Sequence, residues 1–202
     1  MAPQSGSLAI VNNGGANMNS LLYALERLNI EAVLTADADT IRNASHVILP
    51  GVGHARDSML RLMEHDLATT LRTLTQPVLG ICLGMQLLFE RSDEGNTSCL
   101  GVVAGTVETL PGSVEQPSPH MGWNQIHFNQ PHPLFTRIDS GTYFYFVHGY
   151  TAEVNSHTLA QTHYGRAFAS VAGRDNFIGV QFHPERSGDA GAQLLTNFLQ
   201  MT

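Results

Sequence analysis

The stretch Val78-Leu79-Gly80-Ile81-Cys82-Leu83-Gly84-Met85-Gln86 begins as an apolar run that is typical of a buried strand. Gly80, Cys82 and Gly84 then alternate, and the apolar residues that follow are spaced for a helix. Glycines on both sides of one reactive residue are typical of a strained strand-to-helix turn that holds the middle side chain out at its tip. The stretch therefore predicts a thiol at such a tip, at the carboxyl end of a strand.

Cys82 allows two interpretations. A helix that begins just after it would place the positive end of the helix dipole beside the sulfur, which favours the thiolate and a nucleophilic role. Alternatively, Cys82 is a buried, inert cysteine in a glycine-rich turn of the core, as most free cysteines are. The choice depends on whether the chain also supplies a base and an oxyanion site.

Length and composition predict a single globular domain that spans residues 1–202. Of the 202 residues, 43% are hydrophobic and 13% are charged, which suits a full sheet with covering helices. Residues 1–7 carry no positive charge and lead to no long apolar stretch, so we expect a flexible N-terminal extension there. Neither a secretory signal nor a membrane span is expected, which predicts a cytoplasmic location.

Charge and residue usage exclude several classes of function. The net charge of −7 argues against a nucleic-acid surface. All ten basic residues are arginine, which excludes Schiff-base and P-loop chemistry because both need a lysine. Cys82 and Cys99 provide no disulfide framework, and His120, His127 and His132 lack the spacing of zinc ligands. We therefore expect neither a metal nor a cofactor.

The order of apolar segments predicts an α/β fold with a doubly wound, mostly parallel open sheet and helices on both faces. Up to residue 89, strand-like runs alternate with segments of helical period, which is typical of parallel pairing. After residue 89 the runs are too closely spaced for helical crossovers, which predicts an antiparallel β extension. The predicted strands are 8–11, 32–34, 46–49, 78–82, 102–103, 107–110, 125–128, 143–147, 167–171 and 177–182, and the predicted helices cover 20–28, 59–63, 67–74 and 190–201.

A second motif, Gly179-Val180-Gln181-Phe182-His183-Pro184-Glu185, follows another apolar run. Residues two apart in an extended chain point the same way, so the carboxylate of Glu185 can orient the imidazole of His183. Pro184 favours an extended conformation at the residue before it. Together with the glycine-flanked Cys82, this motif predicts the Cys-His-carboxylate arrangement of thiol-dependent acyl transfer.

The third motif, Pro50-Gly51-Val52-Gly53, stands at the end of a predicted strand. A tetrahedral intermediate needs backbone N–H donors aimed at its oxyanion, and glycines tolerate the dihedral angles that turn amides in this way. Taken alone, the four residues are better explained as an ordinary Pro-Gly turn. In a doubly wound sheet, however, this turn and Cys82 both lie at carboxyl ends of strands, where the ligand crevice forms.

These three motifs resemble the signature regions of the class I (triad) glutamine amidotransferases. Within that family, residues 120–124, 145–148 and 185–188 are similar to the glutaminase subunits of imidazole glycerol phosphate synthases. The resemblance runs from about residue 8 to the end of the chain. It implies an enzyme that hydrolyses L-glutamine to glutamate and ammonia. The ammonia would pass to a separate (β/α)8-barrel cyclase subunit in a heterodimer, which makes imidazole glycerol phosphate and the aminoimidazole carboxamide ribotide by-product in histidine biosynthesis.

The resemblance also implies roles for individual residues. Cys82 would be the nucleophile that forms a γ-glutamyl thioester, His183 the general acid and base, and Glu185 its orienting partner. The family likeness further implies an oxyanion hole at Gly51, Val52, Gly53 and Leu83, substrate-binding residues at Gly84, Gln86, Glu94, His148, Gly149 and Tyr150, and a partner interface at Asn17, Met121 and Trp123.

Two of these positions leave alternatives open. The family usually has Ser or Thr where this chain has Gly149. Glutamine is bound more weakly here if a hydroxyl at that position contacts it, whereas little is lost if backbone atoms make the contact. Trp123 is expected either in the core or near the cyclase.

Three other functions are compatible with the motifs. The chain could be the glutaminase subunit of another synthase, for anthranilate or pyridoxal phosphate; a degenerate regulatory module; or a γ-glutamyl or peptide thiol hydrolase that acts alone. Residues 120–124 and 185–188 favour the histidine pathway. The intact Cys82, His183 and Glu185 argue against a degenerate module.

Overall fold

The protein is described by a computed structural model that covers residues 7–14, 18–128 and 130–202. Asn17 and residues 1–6 of the predicted N-terminal extension lie outside the described residues. No helix in the described ranges combines the length and the apolar character that a membrane span requires.

Strands and helices alternate in the first half of the described chain, and strands dominate the second half. The helices are α1 (Met18–Arg27), α2 (Ala38–Asn43), α3 (Ala55–Glu64), α4 (Leu67–Arg72), α5 (Leu83–Leu88) and α6 (Gly188–Phe198), with short 3-10 helices at Pro133–Phe135 and Pro184–Arg186. The strands are β1 (Leu8–Val11), β2 (Ala32–Thr35), β3 (His46–Gly51), β4 (Val78–Cys82), β5 (Arg91–Ser92), β6 (Thr97–Ser98), β7 (Thr106–Thr109), β8 (His120–Gln125), β9 (Tyr143–His148), β10 (Tyr150–Ala152), β11 (Thr158–Tyr164), β12 (Arg166–Arg174) and β13 (Phe177–Val180).

The main sheet runs in the order β2-β1-β3-β4-β13-β12-β10-β7-β5-β6, with β11 beside β12. Strands β2, β1, β3, β4 and β13 pair in parallel, which confirms the predicted parallel half of the sheet. β12 is antiparallel to β13, and β10 is antiparallel to β12 and β7, which confirms the antiparallel extension. β8 and β9 form a separate antiparallel pair.

The core is divided between the two faces of the sheet, because successive side chains of a strand point to opposite faces. On β1, Ala9 and Val11 pack in a cluster with residues of α2, α3, α4 and α5. Leu8 and Ile10 pack in the opposite cluster, with residues of α1 and α6. Since both faces are covered, β1, β3, β4 and β13 have nearly continuous apolar sequences, and this is why they could be predicted.

Several parts of the first half depart from the sequence-based expectations, including the short strands β5 and β6, which were not predicted. The polar residues 38–43 form α2, because the Asp37 side chain accepts a hydrogen bond from the Thr40 amide at 2.7 Å and caps the helix. Residues 102–103 are not a strand, since both of their amides donate to the Leu88 carbonyl at the end of α5.

The second half shows further differences, and β10 was not predicted. The strand predicted at 125–128 is displaced to His120–Gln125, because Gly122 and the polar Asn124 interrupt the apolar pattern. β11 was not predicted, since its alternating polar residues face solvent. The predicted strand 177–182 belongs to both parts of the sheet: β13 pairs antiparallel with β12 and parallel with β4. This double pairing brings the end of β13 beside Cys82.

Candidate active site

A sharp turn between β4 and α5 places Cys82 at the carboxyl edge of the parallel strands. Cys82 has a φ of +54° and a ψ of −111°, a combination outside the main allowed regions for an L-residue. A Cβ on Gly84 would collide with the carbonyl oxygen of Leu49, so glycine allows α5 to pack directly on β3. Local strain of this kind is typical of a nucleophile elbow.

The thiol of Cys82 is covered, although the sequence predicts a side chain held out at the tip of the turn. The residue is only 8% exposed. Its Sγ lies 3.6 Å from the backbone carbonyl oxygen of Val147 on β9. It lies 3.8 Å from the side-chain nitrogen Nε2 of Gln181, the residue after β13. These neighbours, which are distant in the sequence, leave the sulfur on the wall of a cavity and not at the protein surface.

His183 and Glu185 complete the predicted triad. Nδ1 of His183 lies 2.8 Å from Oε1 of Glu185, and the two side chains are 8% and 5% exposed. His183 is extended as predicted, with φ of −102° and ψ of 94°. The residues that follow instead form a 3-10 turn, in which the Arg186 amide donates to the His183 carbonyl at 3.0 Å. The turn returns the carboxylate to the imidazole.

The imidazole of His183 is protonated at neutral pH. Burial by itself would lower its pKa, but the hydrogen bonds and charges of Cys82 and Glu185 outweigh this and raise the pKa to about 10. Nδ1 is bonded to Glu185, so Nε2 is left for the sulfur. Because the pKa in the folded protein exceeds the ordinary value of 6.5, the resulting stabilisation is complete below pH 6.5 and is lost as the pH rises through about 10.

We expect Glu185→Gln to lower the pH at which His183 loses its proton, because the substitution keeps the shape of the side chain but removes its charge. An NMR titration of the His183 imidazole measures this midpoint in the wild type and the variant. Glu115→Gln, at an exposed acidic residue, is the control and should leave the midpoint unchanged. An identical His183 titration in Glu185→Gln would show that the ion pair does not set this pKa.

A cavity of about 510 Å³ opens beside Cys82, a volume in the range of small-molecule sites. Two residues that the sequence assigned to the site do not line this cavity. Gly51 lines a smaller cavity together with His183 and Glu185, and Gly84 packs against the backbone of β3. The walls of the larger cavity bring together His183, the proposed oxyanion residues Val52, Gly53 and Leu83, and the proposed substrate-binding residues Gln86, Glu94, His148, Gly149 and Tyr150.

The turn from β3 to α3 is held at both ends. The Asn13 side-chain amide donates to the Pro50 carbonyl at 3.0 Å. At the other end, Oε2 of Glu94 accepts from the Ala55 amide at 2.7 Å. Between these two hydrogen bonds, Gly53 has a φ of +99°, a conformation that is strained for residues with a side chain. Glu94 therefore lines the cavity and also fixes the start of α3, directly after the proposed oxyanion turn.

The side chains of two proposed substrate-binding residues already make hydrogen bonds within the protein. Nε2 of Gln86 donates to the Tyr150 carbonyl at 3.1 Å and to Oε1 of Gln181 at 3.0 Å, so both amide hydrogens are used. Nδ1 of His148 lies 2.9 Å from the same Tyr150 carbonyl. Burial lowers the pKa of His148 to about 3, so its imidazole is neutral. Gln86 therefore offers a ligand its Oε1 only.

Gly149 has room for a side chain. A Cβ there would meet Ser118 Oγ at 3.9 Å and Pro119 Cβ at 4.0 Å, which are ordinary contact distances. The wall of the cavity therefore has room for at least a methyl group at this position.

Met121 and Trp123 lie on the outer face of β8, where they are 64% and 56% exposed. The indole of Trp123 packs edge-on against Tyr145 of β9, with ring centroids 6.0 Å apart. This exposure excludes the interpretation of Trp123 as a core residue. With the exposed Tyr143, these side chains form an apolar surface on the β8–β9 pair.

Several residues at the site were not identified from the sequence, among them three further residues that line the cavity, Pro119, Val147 and Arg186. Gln181 is fully buried and contacts the sulfur, and Asn13 is 2% exposed and holds the proposed oxyanion turn. A polar residue inside the otherwise apolar run Val180-Gln181-Phe182 was the only signal for Gln181. Asn13 stands in a polar Asn-Gly stretch that is typical of an ordinary turn.

The other candidate groups have a structural explanation. Cys99 is buried, and burial raises the pKa of its thiol to about 11, so it remains protonated. Within the described ranges, no group of three or more His, Cys, Asp or Glu side chains is arranged to hold a metal ion.

Comparison with known proteins identifies the family of the chain. A model of the family "Glutamine amidotransferase class-I" matches residues 9–201, nearly the whole chain. The chain belongs to the class I glutamine amidotransferases. Crystal structures of two other glutamine amidotransferases share the fold of this amidotransferase. One is 17% identical, with a TM-score of 0.74 over 96% of this chain and 97% of the other. The second, from Thermotoga maritima, is 16% identical, with a TM-score of 0.64 over 96% and 83%.

Full-length relatives of this amidotransferase are much closer in sequence. It is 50% identical over 195 residues to the imidazole glycerol phosphate synthase subunit HisH of Pectobacterium atrosepticum. It is 47% identical over 193 residues to the subunit of the same name from Mannheimia succiniciproducens. Each alignment covers 96% of this chain and 99% of the relative.

Proposed function

We propose that this amidotransferase is the glutaminase subunit of an imidazole glycerol phosphate synthase and acts in histidine biosynthesis. The observation that carries the proposal is that Cys82 and His183 line one cavity of suitable size for glutamine, with Glu185 hydrogen-bonded to His183 behind it. The near full-length identity to subunits named HisH supports the choice of synthase. A cytoplasmic location is part of the proposal and suits two buried, unpaired cysteines.

In the first half of the reaction, the Cys82 thiolate attacks the side-chain carboxamide carbon of glutamine. The tetrahedral intermediate collapses, the C–N bond breaks, and the His183 imidazolium gives its proton to the departing nitrogen. Ammonia leaves, and a γ-glutamyl thioester remains on Cys82. The raised pKa of His183 suits this step because the acid is already charged in the resting site.

In the second half, the now neutral His183 removes a proton from water, which attacks the thioester carbon. The C–S bond breaks, glutamate leaves, and the thiolate–imidazolium pair is restored. Glu185 holds the imidazole in one orientation through both halves by its 2.8 Å contact with Nδ1.

The oxyanion of both tetrahedral intermediates is proposed to bind backbone amides of Val52, Gly53 and Leu83. These residues line the cavity next to Cys82, and Leu83 begins α5. Gly51 would contribute by continuing β3 up to the register position of Cys82. Donors placed in advance around a buried oxyanion are among the largest single contributions to this type of catalysis.

The amino-acid end of glutamine is proposed to bind on the opposite wall. Glu94 supplies a carboxylate for the α-amino group, and Gln86 supplies its Oε1. The backbone of residues 148–150 completes this wall. Gly84 supports the site indirectly, by allowing the close contact between α5 and β3.

The ammonia produced needs an acceptor site that excludes water, since free ammonia is mostly protonated at neutral pH and is then a poor nucleophile. We propose that the acceptor site lies on a (β/α)8-barrel cyclase subunit, which forms a heterodimer with this chain. Met121 and Trp123 are proposed to contact it. They lie on β8, whose partner β9 ends at His148 on the cavity wall, and we propose that this connection couples a contact there to the glutamine site.

Glutamine hydrolysis should depend on that partner. We expect little glutamate from the isolated chain and an increase of roughly 5- to 150-fold or more when the cyclase and its nucleotide ligand shift the oxyanion turn to its active conformation. Steady-state glutamate release, measured with and without the cyclase, tests this.

The same assay separates the other functions. Brisk hydrolysis by the isolated chain would indicate an independent thiol hydrolase and contradict the gating. Stimulation by an anthranilate or pyridoxal phosphate synthase chain, and not by the cyclase, would contradict the proposed pathway. A complete absence of glutamine hydrolysis, with every one of these partners and without them, would indicate a binding module.

A further inference from the structure

Hydrogen-bond donors and acceptors fix the orientation of two buried glutamine side chains beside Cys82. The Tyr150 carbonyl can only accept, so the Gln86 atom 3.1 Å away from it is Nε2. The second hydrogen of that nitrogen points to Gln181 at 3.0 Å, which must therefore present Oε1. This leaves Nε2 of Gln181 facing the Cys82 sulfur at 3.8 Å.

The Tyr150 carbonyl, which fixes the orientation of the Gln86 amide, accepts a second hydrogen bond. His148 Nδ1 lies 2.9 Å from the Tyr150 carbonyl and donates to it. Its Nε2 must then accept, and it lies 2.9 Å from Nδ1 of His120. Asn124 completes the series with its side-chain amide 3.4 Å from the other His120 nitrogen. The carbonyl thus receives two donors, and no rotation of the Gln86 amide satisfies it equally well.

We propose that Gln181 is a catalytic residue of this site: its side-chain N–H donates a hydrogen bond to the Cys82 sulfur and stabilises the thiolate. Gln86 is its positioning residue, because it holds the Gln181 amide with nitrogen and not oxygen toward the sulfur. The consequence for turnover rests on the proposed glutaminase function. The contact itself does not.

Burial makes the contact effective. Gln181 is fully buried and Gln86 is 4% exposed, so water does not compete for the N–H group. The Val147 carbonyl, 3.6 Å from the sulfur, acts in the opposite sense, since it accepts a hydrogen bond from the thiol and favours the protonated form. The neutral N–H donor of Gln181 offsets this preference for the thiol and acts in the same sense as the charged His183, which also favours the thiolate.

Alkylation of Cys82 by iodoacetamide tests the proposal in the isolated chain. Gln181→Met keeps the side-chain volume but removes the donor, and should raise the pH of half-maximal alkylation rate by about one unit, since one hydrogen bond to a charged group is lost. Gln86→Met should shift it in the same direction by less. His183, with Glu185 behind it, is the charged group beside Cys82 and is unchanged in both variants. Protonated Cys99 contributes a background that Cys82→Ala measures.

Asn197→Leu is the matched control, because it removes a buried amide on α6 that donates to the Leu134 and Thr136 carbonyls, in and just after the 3-10 helix Pro133–Phe135. It should lower thermal stability and leave the alkylation profile unchanged. In the complex with cyclase, Gln181→Met should lower kcat for glutamine and leave KM nearly unchanged. If Gln181 served only in packing, the variant would instead lose stability without a selective decrease in kcat.

Two results would overturn the proposal. One is a wild-type alkylation profile in a folded Gln181→Met variant. The other, which decides the matter if Gln181→Met does not fold, is a wild-type profile in Gln86→Met. Neither measurement involves glutamine or the cyclase. A shifted profile together with a failure of glutamine turnover in the wild type would therefore contradict the glutaminase function alone.

Discussion

Replacing Cys82 by alanine should lower glutamine hydrolysis in the complex with cyclase by roughly four to six orders of magnitude, as loss of the nucleophile does in other triad enzymes. No other thiol can take its place, because Cys99 is buried and remains protonated. Glutamate release by the complex measures the effect. The same complex supplied with an ammonium salt should still form imidazole glycerol phosphate, since the acceptor site does not use Cys82.

Cys99→Ala is the matched control for that experiment. It removes a second buried thiol, whose Sγ is 3.7 Å from the Thr97 carbonyl, and should leave glutamine hydrolysis close to the wild-type rate. Near-normal hydrolysis by Cys82→Ala, or a comparable loss in Cys99→Ala, would show that the nucleophile has been misassigned.

Gly84→Ala should destabilise the protein and inactivate it together. The added methyl group would collide with the Leu49 carbonyl oxygen. We expect a cost of about 3 kcal/mol, the upper end of the range for an added methyl in a packed interior. The better helix propensity of alanine recovers at most about 1 kcal/mol of this. Activity should fall because α5 carries Leu83 and β3 leads into the oxyanion turn. Chemical denaturation and glutamate release measure the two effects.

Gly149→Ala provides the comparison for stability. It adds the same methyl group at a position where the nearest atoms are 3.9 and 4.0 Å away, so the free energy of unfolding should change little. Equal stabilities for the two variants would contradict the close approach of α5 to β3.

The parallel half of the fold was predictable because its strands are covered on both faces. β1, β3 and β4 are continuous apolar runs, and each is followed by a turn or a helical pattern. The strand β8 was misplaced because it combines Gly122 and Asn124 with exposed Met121 and Trp123. These residues suit a surface for another chain better than they suit the core, so periodicity failed there.

The members of the proposed triad could be selected from the sequence because each of them stands in a short motif. Spacing alone suggested that His183 and Glu185 point the same way, although the structure achieves this through a 3-10 turn. The donor on Gln181 was not predictable in the same way. It depends on the register of β13 beside β4 and on contacts to Gln86, which is 95 residues away in sequence. The sequence shows that a polar residue is present but not what it faces.

The covalent intermediate on Cys82 offers the most direct test. Acid quenching of the complex during turnover of glutamine, followed by mass spectrometry of its peptides, should show a γ-glutamyl group on the peptide that contains Cys82. The group should be lost on treatment with hydroxylamine, as a thioester is. Turnover with an unmodified Cys82, or with the label on another residue, would contradict the proposed mechanism.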